Sequence, residues 1–367
     1  MSNARNPREK RSFLIFRKNS DLQTVSVVTF AFVVFVILYQ LVAGFSTKGG
    51  LAYPSFLYPS NILNIFIQNA AVGIMAMGMC TVMLAGGIDL SVGMMVSLVA
   101  IFEAKSIMDW GVSPAMAVIY ALLICIALES IMGAIIAWLN VEPFIITLGG
   151  MIACRGIALL IARSQEIAMD QNLAWFKTNV FEWFNGGEGI KAFGFKLQLP
   201  YYVLLFVALA IVTWAILKYT RFGRRIYAVG NNAQAAYLSG INVRLTKLLA
   251  FAFNGLCVGI GGTIALVRQN TGIISIGQNL EIDVIAAVVI GGVAMSGGKG
   301  NAMGAFLGAL LMGAITNAMT LMRIQSEWQF VVKGVIIIIA VSGGALSQIF
   351  TTRRAVRQQE ALDQKKA

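Results

Sequence analysis

The chain has 367 residues, of which 58% are hydrophobic and only 12% charged, with a mean hydropathy of +0.78. That composition excludes an ordinary soluble domain and predicts an all-α, polytopic helical bundle in a membrane. The net charge of +12 does not point to nucleic acid, because the cations flank apolar runs instead of lining a polar domain with interleaved aromatics.

Histidine is absent, which removes the usual general base and the commonest zinc ligand. Cys80, Cys125, Cys154 and Cys257 all lie in apolar stretches without CxxC spacing. Free buried thiols are therefore expected, with neither a disulfide framework nor a metal site.

The N-terminal segment 1–24 carries Arg5, Arg8, Lys10, Arg11, Arg17 and Lys18 before the apolar run 25–44. That run is longer than a signal-peptide core and no clear small-residue cleavage site follows it, so it reads as a retained first span. A spanning helix needs about 20 apolar residues. Further runs of about that length fall at 62–85, 91–108, 114–138, 144–162, 200–217, 248–267, 282–296, 301–322 and 329–349. They predict about ten spans in one membrane domain, 25–349, with a basic tail over 350–367.

Cations also gather between the sixth and seventh runs, at Lys218, Arg221, Arg224, Arg225, Arg244 and Lys247. Positive-inside bias therefore places the 218–247 loop and both termini in the cytoplasm. The 163–199 loop is then external and balanced in charge. Its Trp175, Phe176, Phe181, Trp183 and Phe184 predict a helix at the outer interface, either an aromatic anchor or a docking surface.

Segment 288–301, VVIGGVAMSGGKGN, has the glycines of a phosphate-binding loop, but Val293 and Gly300 occupy positions where that motif needs a glycine and a hydroxyl residue. A tight turn with Lys299 at the cytoplasmic surface fits better. Gly86, Gly87 and Gly93 are echoed by Gly297, Gly298 and Gly304 at the same spacing, a pattern that does not by itself establish repeated halves.

A carboxylate inside a span is costly, and Asp89 in LAGGIDLSVG follows two glycines and precedes an apolar run. It is expected to cap the third span and, with Ser91, to line a solute path. Asn61, Asn64 and Gln68 recur on one face of the second span, Asn254 lies in the seventh, and Glu281 and Asp283 stand at the outer entrance to the eighth. Such groups either hold helices together or hydrogen-bond the hydroxyls of a solute.

The stretch FGRRIYAVGNNAQAAYLSGI at 222–241 interrupts the apolar pattern. Asn231 or Asn232 is placed to cap a short helix through Ala233, Ala235, Ala236 and Leu238, and Gly240 to stop it. Arg221, Arg224 and Arg225 suit anionic headgroups. So short a helix is marginal alone. Its small alanines and apolar Tyr237, Leu238 and Ile241 predict a socket on a soluble cytoplasmic partner.

GIDLSVG at 87–93, NVEPFIITLGG at 140–150, TRFGRRIYAVGNNAQAAYLSGINV at 220–243, EIDVIAAVVIGGVAMSGGKG at 281–300 and WQFVVKGVIIIIAV at 328–341 together resemble the permease subunits of bacterial ABC importers for monosaccharides, the ribose and galactose type. The resemblance implies a homodimer of permeases in the inner membrane, two cytoplasmic ATPase domains and a periplasmic sugar-binding protein. ATP and Mg would sit on the ATPase, leaving this chain with neither cofactor nor catalytic residues. It also implies that the 218–247 loop holds a coupling helix resting in a groove of the ATPase, with Arg224, Asn231, Asn232, Ala235, Ala236, Leu238 and Gly240 at that contact. Glu142 and the aromatic external loop depart from the pattern and leave the sugar open, including polyols.

Two other classes compete. An ion-coupled carrier would use a titratable group such as Asp89, but the lack of histidine and of paired intramembrane charges weighs against it. An enzyme acting on lipid precursors would need a nucleophile beside a base, and no such pair is adjacent in sequence.

Overall fold

Residues 26–37, 39, 45–48, 51–54, 56–169, 190–192, 195–197, 199–339 and 342 are described in the computed structural model, and helix dominates them. The helices are α1 (Ser26–Ile37), α2 (Pro59–Leu84), α3 (Val92–Met108), α4 (Pro114–Leu139), α5 (Pro143–Ala162), α6 (Tyr201–Tyr219), α7 (Arg221–Asn231), α8 (Ala233–Leu238), α9 (Val243–Gln269), α10 (Leu280–Ile290) and α11 (Ala302–Leu321), with α12 over 326–339. Small antiparallel strand pairs join Phe45–Lys48 to Leu51–Pro54, Ile167–Ala168 to Thr271–Gly272, and Ile190–Ala192 to Phe195–Leu197.

Local chemistry sets the helix ends. Pro59, Pro114 and Pro143 stand in the first turns of α2, α4 and α5, where the missing N–H has no intrahelical partner to lose. Asn140, Arg163 and Asn270 close α4, α5 and α9 in the left-handed conformation, which turns the chain and frees it from the helix.

Among the described residues six helices, α2, α4, α5, α6, α9 and α11, are long and apolar enough to cross a membrane. The expectation of about ten spans is therefore only partly met. The third and eighth runs form α3, of 17 residues, and α10, of 11, which rise only about 25 and 16 Å. The predicted 282–296 span is cut short because the chain turns after Ile290, where Gly292 has φ +80°. The 1–24 and 350–367 segments lie outside the described residues, as do the five aromatics of the 163–199 loop.

At the centre stands α2, whose Ile74, Met75, Met77, Met79, Cys80 and Met83 are fully buried. It packs on α9, α11, α10 and α6, while α9 also packs on α4 and α3, and α5 on α3. Glycines bring backbones close where lipid supplies no hydrophobic drive: Gly78 faces Asn254 and Cys257, and Gly255 faces the Cys125 carbonyl. All four cysteines are free and buried, as expected.

The shortened helices begin side by side. Gly277 lies against the Gly93 carbonyl, Ser97 Oγ donates to Ile274 O at 2.7 Å and accepts from Gly277 N at 3.1 Å, and the Glu281 carboxyl abuts Gly93. Toward the other end of α2, Gly298 N donates to Leu84 O at 3.0 Å. There Gly297 packs on Gly86, both with φ +85°, so two members of the echoed glycine pattern touch.

Candidate functional site: a buried polar cluster and a protruding helix

The turn between α2 and α3 carries Asp89 into the bundle. Leu90 N donates to Thr147 Oγ1 of α5 at 3.1 Å, which fixes the turn. Asp89 Oδ1 accepts from Ser91 N at 2.8 Å and Ser91 Oγ at 2.7 Å, and Oδ2 accepts from Asn254 Nδ2 of α9 at 2.6 Å. Glu129 Oε1 of α4 lies 3.4 Å from both Ser91 Oγ and Asn254 Nδ2.

Asp89, Ser91, Glu129 and Asn254 are fully buried, and Glu129 Oε2 and Asn254 Oδ1 have no partner. Measured along the helices, Glu129 is about 15 Å from the Leu139 end of α4 and Asn254 about 16 Å from the Val243 end of α9. Half of a hydrocarbon core about 30 Å thick is the same depth. The cluster thus ties three elements together in mid-bundle, with more acceptors than donors.

Asp89 does not cap the third helix as expected. It satisfies the Ser91 N–H just before α3 begins at Val92, and Ser91, the residue at the cap position, makes no capping side-chain bond.

The other polar residues divide. Asn64 and Gln68 are exposed on α2, apart from the cluster. Asn61 is buried and donates to Phe56 O at 2.9 Å. Asn69, about two turns further on, is buried against α11 with its Nδ2 bonded to Ala309 O. Glu281 and Asp283 stand in the first turn of α10: Glu281 presses on the first turn of α3 with Oε2 unpartnered, and Asp283 Oδ2 accepts from Lys333 Nζ of α12 at 2.8 Å.

Glu129 escaped the sequence reading, as did Glu103 of α3, which is fully buried and accepts from Thr263 Oγ1 at 2.6 Å, leaving Oε2 unpartnered. So did Arg155 of α5 and Lys333. The available signal was a single ionisable residue inside an apolar run. Among the described residues no three His, Cys, Asp or Glu side chains converge to hold a metal ion.

The second feature is the 218–247 segment. What looked like a basic lead-in is the amphipathic helix α7, which turns Gly223, Ile226 and Val229 inward and leaves Arg221, Arg224 and Arg225 exposed. Thr220 Oγ1 caps it, accepting from Gly223 N at 3.2 Å. Tyr227 OH donates to Gly300 O at 2.9 Å, and Gly230 packs on the Leu84 carbonyl, seating α7 on the junction at Gly86 and Gly297.

Asn232, and not Asn231, caps α8: its Oδ1 accepts from Ala235 N at 2.9 Å, while Asn231 ends α7. Gly240, with φ +78°, stops α8, and Ile241 N donates back to Ala236 O at 3.0 Å. Ala236 is buried at 4% exposure, whereas Tyr237 and Leu238 are 67% and 76% exposed. The surface that α8 offers therefore holds Ala233, Gln234, Ala235, Tyr237 and Leu238, and Ala236 belongs to its seat.

Residues 61–341 match the family described as branched-chain amino acid transport system / permease component. The chain belongs to this permease family. Among curated relatives, the ribose import permease of Bacillus subtilis is 38% identical over 289 residues, covering 78% of this chain and 85% of the relative. The ribose import permease of Escherichia coli is 35% identical over 307 residues, 83% of this chain and 91% of the relative. The xylose transport permease of Escherichia coli is 33% identical over 88% of this permease and 93% of its own length. The resemblance to monosaccharide ABC-importer permeases drawn from the five motifs agrees with these relatives. No solved structure matches the chain.

Proposed function

We propose that the chain is the membrane-spanning subunit of an ATP-driven importer for a monosaccharide or related polyol in a bacterial cytoplasmic membrane. It works as one of two permease copies, with ATP and Mg held by a cytoplasmic ATPase and solute delivered by an external binding protein. The relatives' names, ribose and xylose permeases, support the solute class.

The observation that carries the reading is the seating of α8. A six-residue helix exposing Tyr237 and Leu238 has too little contact to serve the fold alone. Through α7 it rests on Leu84 and Gly298, at the root of the turn that bears Asp89. Force applied to α8 by a partner would reach the polar cluster through packed backbone.

The test is uptake of radiolabelled ribose and xylose in vesicles holding the permease, its ATPase and its binding protein. Leu238→Asp should cut ATP-dependent uptake at least tenfold with unchanged amounts of permease in the membrane. Normal uptake by that variant would overturn the coupling role.

The buried carboxyls Asp89, Glu129 and Glu103 support a second reading, an ion-coupled carrier. Uptake that persists without ATP and collapses with an uncoupler would establish it in place of the first.

A further inference from the structure

Arg155 lies about 18 Å along α5 from Pro143 and about 10 Å from Ala162 at 1.5 Å per residue. It is exposed, and among the described residues no hydrogen bond or ion pair reaches it. A guanidinium stays charged in any protein setting, and a charge within a span faces a partner or a water-filled cavity instead of hydrocarbon. Escape to the nearer surface is opposed by geometry, because side chains leave a helix tilted toward its N-terminus, here toward the deeper part of α5.

The surroundings agree with a polar visitor. On the outward side of α5, a Cβ added at Gly149 or Gly156 would meet nothing within 4 Å, and Ile152, about 60° round the helix from Arg155, is 64% exposed. The inward side is occupied: Thr147 holds Leu90, and Cys154 is buried. At 100° per residue Arg155 lies about 80° round the helix from Thr147, so the cation stands on the flank of α5 next to the side that meets the Asp89 turn.

We infer that Arg155 lines the solute path, on a face of α5 screened from lipid by the second permease copy, and donates hydrogen bonds to solute hydroxyls. A guanidinium offers five N–H donors and no acceptor, which suits the oxygen acceptors of a polyhydroxylated solute. The inference rests on the reading of the chain as a permease for such solutes.

Accessibility tests it in vesicles carrying the assembled transporter. The native cysteines are buried, so Arg155→Cys and, with Arg155 intact, Ile152→Cys report their own exposure to a charged, membrane-impermeant thiol reagent. Both should react within minutes, ribose or xylose should slow labelling of Ile152→Cys severalfold, and Arg155→Leu should lower uptake at least tenfold while Arg155→Lys keeps part of it. Reaction with a lipid-soluble maleimide alone would place this face in lipid and overturn the inference. Exclusion of the charged reagent with ready cross-linking of two copies would make it a sealed seam, with the same consequence. Labelling that neither sugar slows, together with normal uptake by Arg155→Leu, would also overturn it. None of these labelling results depends on ATP, so failure of ATP coupling would be seen separately.

Discussion

Asn254 holds the polar cluster closed by donating to Asp89 Oδ2 at 2.6 Å. Replacing it with Leu leaves a buried carboxylate oxygen without its donor, at a cost of about 1–3 kcal/mol. Thermal unfolding in detergent, followed through reaction of the four buried thiols, should show the loss, while Asn64→Ala, at an exposed position, should leave unfolding within about 0.5 kcal/mol of the parent. Glycine contacts make a second residue-level test. A Cβ at Gly277 would stand 1.8 Å from the Gly93 carbonyl, whereas one at Gly334 meets nothing within 4 Å. Gly277→Ala should therefore destabilise by about 1–3 kcal/mol in the same assay, and Gly334→Ala, in a helix, should be neutral or slightly stabilising. Asp89 was legible in sequence because it follows paired glycines in an apolar run. Glu129 and Glu103 were not: each sits alone in a run that otherwise passes as a span, and Glu103 meets Thr263 from 160 residues away.

Among elements, the short helix at 233–238 was legible because Asn and Gly are the residues that start and stop helices. The preceding helix was missed because its arginines drew attention away from Ile226 and Val229, which share its inward side. The lengths of α3 and α10 were also hidden, since an apolar run shows that residues avoid water without showing where the helix begins. The tie between α10 and α12 invites a direct test. Lys333 Nζ and Asp283 Oδ2 are 2.8 Å apart, with side chains only 16% and 22% exposed. Lys333→Met alone should cost about 1–3 kcal/mol, between the values for surface and fully buried pairs. Pairing it with Asp283→Leu should restore much of that stability, because no charge is then left unmatched; a double variant no better than the single would contradict this account.

For the whole molecule, composition alone disclosed a helical membrane protein, but counting runs did not show which of them form long helices: among the described residues six are long and apolar enough to cross a membrane. Burial ranks the helices in a way hydropathy does not. In their apolar windows α2 and α9 are 78% and 72% buried and α5 only 17%, although α5 has the higher hydropathy, 2.1 against 1.7 and 1.8. Hydrogen exchange of the transporter in nanodiscs should accordingly find the slowest amides over 69–84 and 254–267, with those of α5 faster unless a neighbouring copy covers it.

Where Gly86, Gly230 and Gly297 come together, main chain touches main chain with almost no side-chain padding. Side chains can absorb a small displacement by changing rotamer, but bare backbone has no such slack. The junction is therefore stiff: on the proposed coupling role, a nudge at Tyr237 and Leu238 would arrive at the Asp89 turn nearly undiminished, and even one methyl group wedged between these glycines should spoil its timing.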